Sequence, residues 1–404
     1  MKEERIVEKE QKETLWSRNF LSISFSSFFI YVTFYILAVT LPTFVLENLG
    51  RSQKDIGLVT TVFLIAAVIF RPLTGKWLDE MSRKMIVIMS LILFTLCTIS
   101  YLFIQDYTLL LVVRFIHGIS FGIAATATSA VVLDVIPKER KGEGIGYFSL
   151  FMSLAMVMGP FLGLFMTSHT NFFVLFITIS AFSLLSLGCS AITQIPKHVP
   201  VPSVLSKWDI KRYFEPKAIP ISLAGFVLAF SYGAISTFIS VYAKSMGLEQ
   251  IASYFFVVFA AVILITRPFT GRLFDRKGAH ILVYPGIILF VIGMVWLSQA
   301  YTAPIFLITA GVIGLGFGAI LPSFQTIAIQ VSPLHRQGLA TGTYFVFFDL
   351  GYAVGSYVLG LIAAKTNYHT MYLIGGLFVS LAIVIYYVLH HRVENRNSQK
   401  LMSE

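Results

Sequence analysis

The sequence predicts an all-α polytopic membrane protein built from two six-helix bundles, and three observations carry that prediction. Of 404 residues, 56% are hydrophobic and 12% are charged, about half the roughly 25% charged share of a soluble domain. Twelve apolar runs can be drawn at or near the length of about 20 residues that a spanning helix requires. A shift of 196 residues lays the second half of the chain on the first.

The first six runs cover 19–46, 54–75, 85–104, 108–135, 144–167 and 171–194. The second six cover 218–243, 250–271, 280–299, 303–330, 338–364 and 369–390. Several exceed the minimum, which tilt or protrusion beyond the hydrocarbon accommodates. The only long polar connector falls at 195–217, so the chain divides into a tail (1–18), a bundle (19–194), a linker (195–217), a second bundle (218–390) and a tail (391–404). The opening MKEERIVEKEQKET is charged with both signs and has no apolar core, which excludes a signal peptide and reads as a cytoplasmic tail.

Lys and Arg set the expected orientation. With both ends on one side, that side collects 25 basic residues and the other only Arg51, Lys54, Lys244 and Lys365, with Arg114 left inside a span. Such a bias in short loops marks the cytoplasmic side. The expectation is a multi-pass cell-membrane protein with both termini in the cytoplasm. The net charge of +10 is spread through these loops and makes no nucleic-acid face.

Covalent chemistry finds no support. Cys97 and Cys189 lie in apolar runs and offer neither a disulfide framework nor a metal site. No phosphate-binding loop or nucleotide domain is present, and the glycines of GVIGLGFGAI (311–320) lie inside a span. The expectation is no enzyme, no metal and no cofactor. Its partners are a small-molecule cargo, protons and membrane lipid, with no obligate protein partner evident.

The repeat is carried by residues that greasy helices do not share by chance. Arg71, Pro72, Thr74, Gly75 and Asp79 fall on Arg267, Pro268, Thr270, Gly271 and Asp275 without a gap. Gly118, Gly122 and Gly159 fall on Gly314, Gly318 and Gly355. A shift of six spans returns each helix in the same orientation, so the halves are parallel repeats, the arrangement of alternating-access carriers.

With those residues in view, the chain resembles the major facilitator superfamily, specifically the 12-span proton-coupled drug and metabolite antiporters. RPLTGKWLDEMSRK between spans 2 and 3 is similar to the family's signature loop, RFIHGISFG in span 4 to its second signature, and MVMGPFLG in span 5 to the antiporter signature. The resemblance implies the major facilitator fold and export of hydrophobic or cationic small molecules, driven by the proton gradient. Proton symport of a nutrient is the alternative, and a non-transporting sensor is the alternative of another class.

Candidate site residues follow. Gly75 and Gly271 are expected to let the chain turn and approach a neighbour closely. With Arg71, Asp79, Arg83, Lys84 and Asp275 they make an expected cytoplasmic gate, in which the resemblance gives Asp79 the part of holding the halves together. The resemblance also joins Asp134 to Arg71 and Asp79 in one charge network and gives Arg114 a part in proton coupling. Arg114 sits roughly 9 Å inside its span at 1.5 Å per residue, so it must snorkel, pair with an acid or line a wet cavity.

Asp349 is placed almost at the centre of span 11, where ionised groups are expensive and usually functional. A buried carboxylate with no fixed partner tends to hold a proton that an arriving cation can displace. Asp349 is therefore the first candidate for proton coupling, shared with Asp134. Phe345 and Tyr352 share its helix face, and Tyr31, Phe34, Tyr35 and Tyr232 are further candidates for the substrate cavity. Gly159, Pro160 and Gly163 in span 5 are expected to allow close packing and a bend, and by resemblance a hinge.

Overall fold

The computed structural model describes residues 15–137, 140–195, 213–333 and 336–392. The expected tails and linker fall mostly outside these residues, as do the side chains of Asp79 and Asp275. Twelve helices long and apolar enough to cross a membrane are present among the described residues. A bilayer offers the backbone no hydrogen bonds, so apolar runs of this length satisfy their amides internally as helices.

The first bundle contains α1 (Arg18–Glu47), α2 (Gln53–Glu80), α3 (Arg83–Ser100), α4 (Tyr107–Val135), α5 (Lys141–His169) and α6 (Phe172–Ile192). The second contains α7 (Ile219–Ser245), α8 (Ala252–Lys277), α9 (His280–Leu297), α10 (Ala303–Gln330), α11 (Gln337–Lys365) and α12 (Tyr368–His391). Polar side chains fix several of the starts by accepting an orphan amide. Ser17 accepts from Phe20, Asp106 from Leu109, Asn171 from Val174 and Asn367 from Thr370. Gly50 and Gly247, with φ of 61° and 71°, make the turns that follow α1 and α7, a conformation other residues adopt with strain.

The sequence repeat recurs in the packing of the helices. Helix α1 lies on α5 and α6, α2 on α4, and α3 on α4 and α6; the second bundle has the same set, α7 on α11 and α12, α8 on α10, and α9 on α10 and α12. Contacts coincide residue by residue. A Cβ on Gly118 would meet the Phe63 carbonyl, and one on Gly314 the carbonyl of Phe259; Gly122 faces Ala67 as Gly318 faces Ile263. Each of these pairs is the other displaced by 196 residues, so the missing Cβ atoms set the same close helix approach twice.

Between the bundles, α2 packs on α11, α5 on α8, and α1 on α7. We call the membrane side that carries the described chain ends the terminal face and the other the opposite face.

One expectation about this region is corrected. The RPLTGKWLDE segment is helical through Glu80, well past the expected end at 75, and α8 likewise runs to Lys277. Gly75 and Gly271 neither turn the chain nor touch a neighbour: neither has positive φ, and a Cβ on either would meet open space. The reason is that their surroundings on the terminal side stand apart in this structure.

Candidate functional site

A ladder of contacts joins the bundles from the opposite face to the middle of the protein. Lys244 pairs with Glu47 at the opposite ends of α7 and α1. Deeper, the Ser240 hydroxyl donates to the Val39 carbonyl at 3.0 Å and Thr61 donates to the Ala353 carbonyl at 2.7 Å. Gly57 lies so close to the Ser356 carbonyl that a Cβ could not be added. Phe34 and Tyr352 then meet edge to face with ring centres 6.2 Å apart. The opposite face is thus closed by α1, α2, α7 and α11, whereas Gly75 and Gly271 near the terminal ends of α2 and α8 stand clear of any described neighbour.

The rung nearest the terminal face is an ion pair. Arg71 Nη2 on α2 lies 2.6 Å from Asp349 Oδ2 on α11, and Asp349 is 9% exposed. The guanidinium also lies over the Phe121 ring at 5.8 Å, and Tyr31 is near enough to interact with both charges. The pair is close but poorly aligned: Arg71 Nε has no hydrogen-bond partner, and Asp349 Oδ2 receives no aligned donor. Buried ion pairs add little net stability, yet leaving either charge alone in such surroundings is strongly unfavourable. A pair with unused hydrogen-bonding capacity holds the bundles together while remaining separable.

This geometry corrects two expectations. Asp349 is central, as expected, but it has a fixed partner. Arg71 is not in a network with Asp134; the partner of Asp134 is Arg83, at the terminal ends of α4 and α3 in the same bundle. Lys84 donates to the carbonyls of Ser190, Ala191 and Thr193, at the end of α6, where a cation complements the free carbonyls. Arg83 and Lys84 therefore brace the first bundle internally. Arg336 on α11 does the same in the second bundle, pairing with Glu215 and donating to the Phe214 carbonyl.

Arg114 does not snorkel. It is 0% exposed, its guanidinium lies 4.0 Å from the centre of the Phe63 ring, and it donates to the Val59 carbonyl at 3.2 Å and the Tyr101 hydroxyl at 3.4 Å. His117, one turn on from Arg114, contacts the same Tyr101 hydroxyl through Nδ1 at 3.1 Å. Arg114 is thus held inside the first bundle by a π-face and neutral oxygens.

The aromatic candidates divide. Phe34, Tyr232 and Tyr352 are buried: Phe34 stacks on Phe63 and Phe121, Tyr232 stacks on Phe317 at 4.4 Å, and the Tyr352 hydroxyl donates to Ser236 at 2.6 Å. In this arrangement they plug the route between the bundles instead of lining an open cavity. Tyr31, Tyr35 and Phe345 are half-buried. On α5, Gly159 and Gly163 sit against the backbone of α1 at Val32 and Ile36, and Pro160 stays within a continuous helix, the close packing that was expected.

The sequence carries a signal for Arg71 beyond its place in the expected gate. It lies inside the expected span 54–75, and a charge within a span points to function as much as Asp349 does.

Two parallel repeats packed about a central seam, closed at one face and joined midway by a buried ion pair, define a membrane carrier of the secondary-transporter class. A family model described as Major Facilitator Superfamily matches residues 23–356 and 286–403. The chain belongs to the major facilitator superfamily and is a transporter, not an enzyme. It is 25% identical to the multi-drug resistance efflux pump PmrA of Streptococcus pneumoniae, across 91% of this chain and 95% of that protein. It is 23% identical to the quinolone resistance protein NorA of Staphylococcus aureus, across 92% and 96%. Among solved structures, a bacterial homologue of the human lysosomal transporter Spinster superposes with a TM-score of 0.75 at 14% identity, over 94% of this chain and 97% of that one; this likeness concerns the fold.

Proposed function

We propose that the protein exports amphipathic small molecules across the cell membrane in exchange for protons, by alternating access. The observation that carries this reading is the Arg71–Asp349 pair, placed where the bundles must separate if the closed face is to open. With Asp349 charged, the pair ties α11 to α2. A proton on Asp349 removes that attraction and lets the seam part, and exchange requires that cargo and proton occupy the seam in turn, each loosening the pair by itself. Binding of a proton and opening of the opposite face are then one equilibrium, and a ligand shifts it only by its difference in affinity for the two states.

The basic-residue bias supports a cytoplasmic terminal face, on which reading the structure is open to the cytoplasm and ready to load. The efflux name of the PmrA relative supports export over import. The expectation of a cationic cargo loses its original basis, because the central acid already has a cation beside it.

The test is transport by proteoliposomes carrying an imposed proton gradient, with ethidium and norfloxacin as cargo. Wild type is expected to move cargo opposite to protons. Asp349→Asn is expected to keep cargo exchange between equal pools while losing at least tenfold of gradient-driven accumulation. Cargo moving with protons would replace this reading with symport, and movement of neither would favour a sensor.

A further inference from the structure

The repeat that places Arg71 in the seam also places Arg267, its mate 196 residues on. The interface between α2 and α11 has its counterpart between α8 and α5. In the first, Arg71 faces Asp349. In the second, the residue equivalent to Asp349 is Ser153, so the arginine is repeated and the acid is not.

The direction of Arg267 follows from exposure along α8. Ile265 and Phe269, two residues to either side of it, are 67% and 69% exposed and mark the lipid face. Arg267 is on the other side of the helix, in line with Phe256, Ala260 and Ile263 at i−11, i−7 and i−4, all of them buried. Ile263 packs on Gly318 of α10, as Ala67 does on Gly122 one turn before Arg71. Arg267 therefore extends the protein-facing stripe. It is nevertheless exposed, and so is Gly271 one turn further on. Exposure on the protein-facing side of a helix means a water-filled space between bundles, opening toward the terminal face.

The guanidinium of Arg267 makes no hydrogen bond or ion pair to the described residues, while its backbone carbonyl accepts from the Thr270 hydroxyl at 3.1 Å. While the space is open, water serves the guanidinium. Once the bundles close over the terminal face, α5 presents Ser153 where the other seam has Asp349, and its one acid, Glu143, lies ten residues nearer the terminal end; a guanidinium buried without a counter-charge is strongly unfavourable. Closure needs an anion supplied from outside the chain.

We infer that Arg267 is an anion-binding residue of the transport pathway, and that the cargo carries an acidic group, a carboxylate or similar oxyanion, that pairs with it as the terminal face closes. This inference rests on the carrier reading above and adds the cargo's chemistry to it. Planar, bidentate pairing is what a guanidinium offers a carboxylate. An empty carrier would close slowly and a loaded one readily, which couples cargo binding to the conformational step.

Two measurements test it. In a Cys97→Ser/Cys189→Ser background, Thr270→Cys is labelled with an anionic and a cationic methanethiosulfonate of similar size. The anionic reagent is expected to react several-fold faster, and Arg267→Gln is expected to abolish that preference. Preference unchanged by Arg267→Gln, or no labelling at Arg267→Cys itself, overturns the placement. Second, binding of norfloxacin and of its decarboxylated analogue is measured by ligand fluorescence on purified protein in nanodiscs of phosphatidylcholine alone, which excludes an anionic lipid as the occupant. The acid is expected to bind at least tenfold more tightly. Arg267→Gln should remove that difference and leave the analogue unaffected, while Arg267→Lys keeps part of it. Wild type that binds both equally or neither, or a Gln variant that weakens both alike, overturns the inference. Failure of the carrier reading would look different: acid-selective binding intact, with no counterflow in proteoliposomes.

Discussion

Arg71 on α2 and Asp349 on α11 meet at 2.6 Å across the seam between two bundles that otherwise touch, among the described residues, through backbone carbonyls, hydroxyls, aromatic edges and the exposed Glu47–Lys244 pair. A charge pair at that depth is the connection between bundles that a single proton can switch.

Removing one member strands the other. Arg71→Gln should lower folding stability by about 3–5 kcal/mol, the range for breaking a buried pair from one side, read as a drop in the unfolding temperature in detergent. Arg71→Gln/Asp349→Asn should recover most of that loss, since no unpaired charge remains, while coupled transport stays absent. A double variant no more stable than Arg71→Gln would show that the pair does not act as a unit.

Gly118→Ala and Gly314→Ala should both be severely destabilising, because each new methyl runs into a backbone carbonyl of the neighbouring helix, and backbone cannot yield as a side chain can. Gly75→Ala should leave the unfolding temperature unchanged, since its Cβ meets nothing here. The same change should slow transport if the terminal face closes on Gly75 during the cycle. Thermal unfolding and transport rates on one set of variants separate the two effects.

Arg114 and Phe63 should be coupled. A guanidinium over the face of a ring is worth about 2 kcal/mol or more when desolvated, and lysine cannot cover the ring and reach the Val59 carbonyl at once. Arg114→Lys and Phe63→Leu should each lower stability, and the double variant should lose less than their sum in a thermal double-mutant cycle. Strict additivity would mean that the stacking carries no energy.

The Glu47–Lys244 pair is exposed at the opposite face, where such pairs contribute about 0–1 kcal/mol and are screened by salt. Lys244→Gln should leave stability within error while shifting the population open to the opposite face by at most about fivefold. Labelling of a cysteine at Ala353, behind the seal, reads that shift.

The fold was largely legible because the bilayer imposes helix length and the repeat survives in Gly, Pro and Arg. Asp349 was legible for the same reason: an acid in the middle of an apolar run has few explanations. Its partner was not. Arg71 sits beside Pro72 near the end of the expected span 54–75, in a segment that reads as the start of a polar loop, and the continuation of α2 to Glu80 puts it well within the helix. The glycines of that segment misled in the same way, since a missing Cβ signals a close approach without saying in which state it occurs. Phe34 and Tyr232 read as cavity residues because aromatic side chains suit cargo and plug equally well, and sequence does not tell which face of the seam is shut.

The most direct test of the account is the distance between bundles, measured by double electron–electron resonance with one label pair at Asn48 and Glu249 on the opposite face and another at Met81 and Lys277 on the terminal face. At neutral pH without cargo, the first pair should be short and the second long; with Asp349→Asn, a second population should appear in which the first lengthens as the second shortens. Two fixed distances, indifferent to protons, cargo and Asp349→Asn, would contradict alternating access about the Arg71–Asp349 pair.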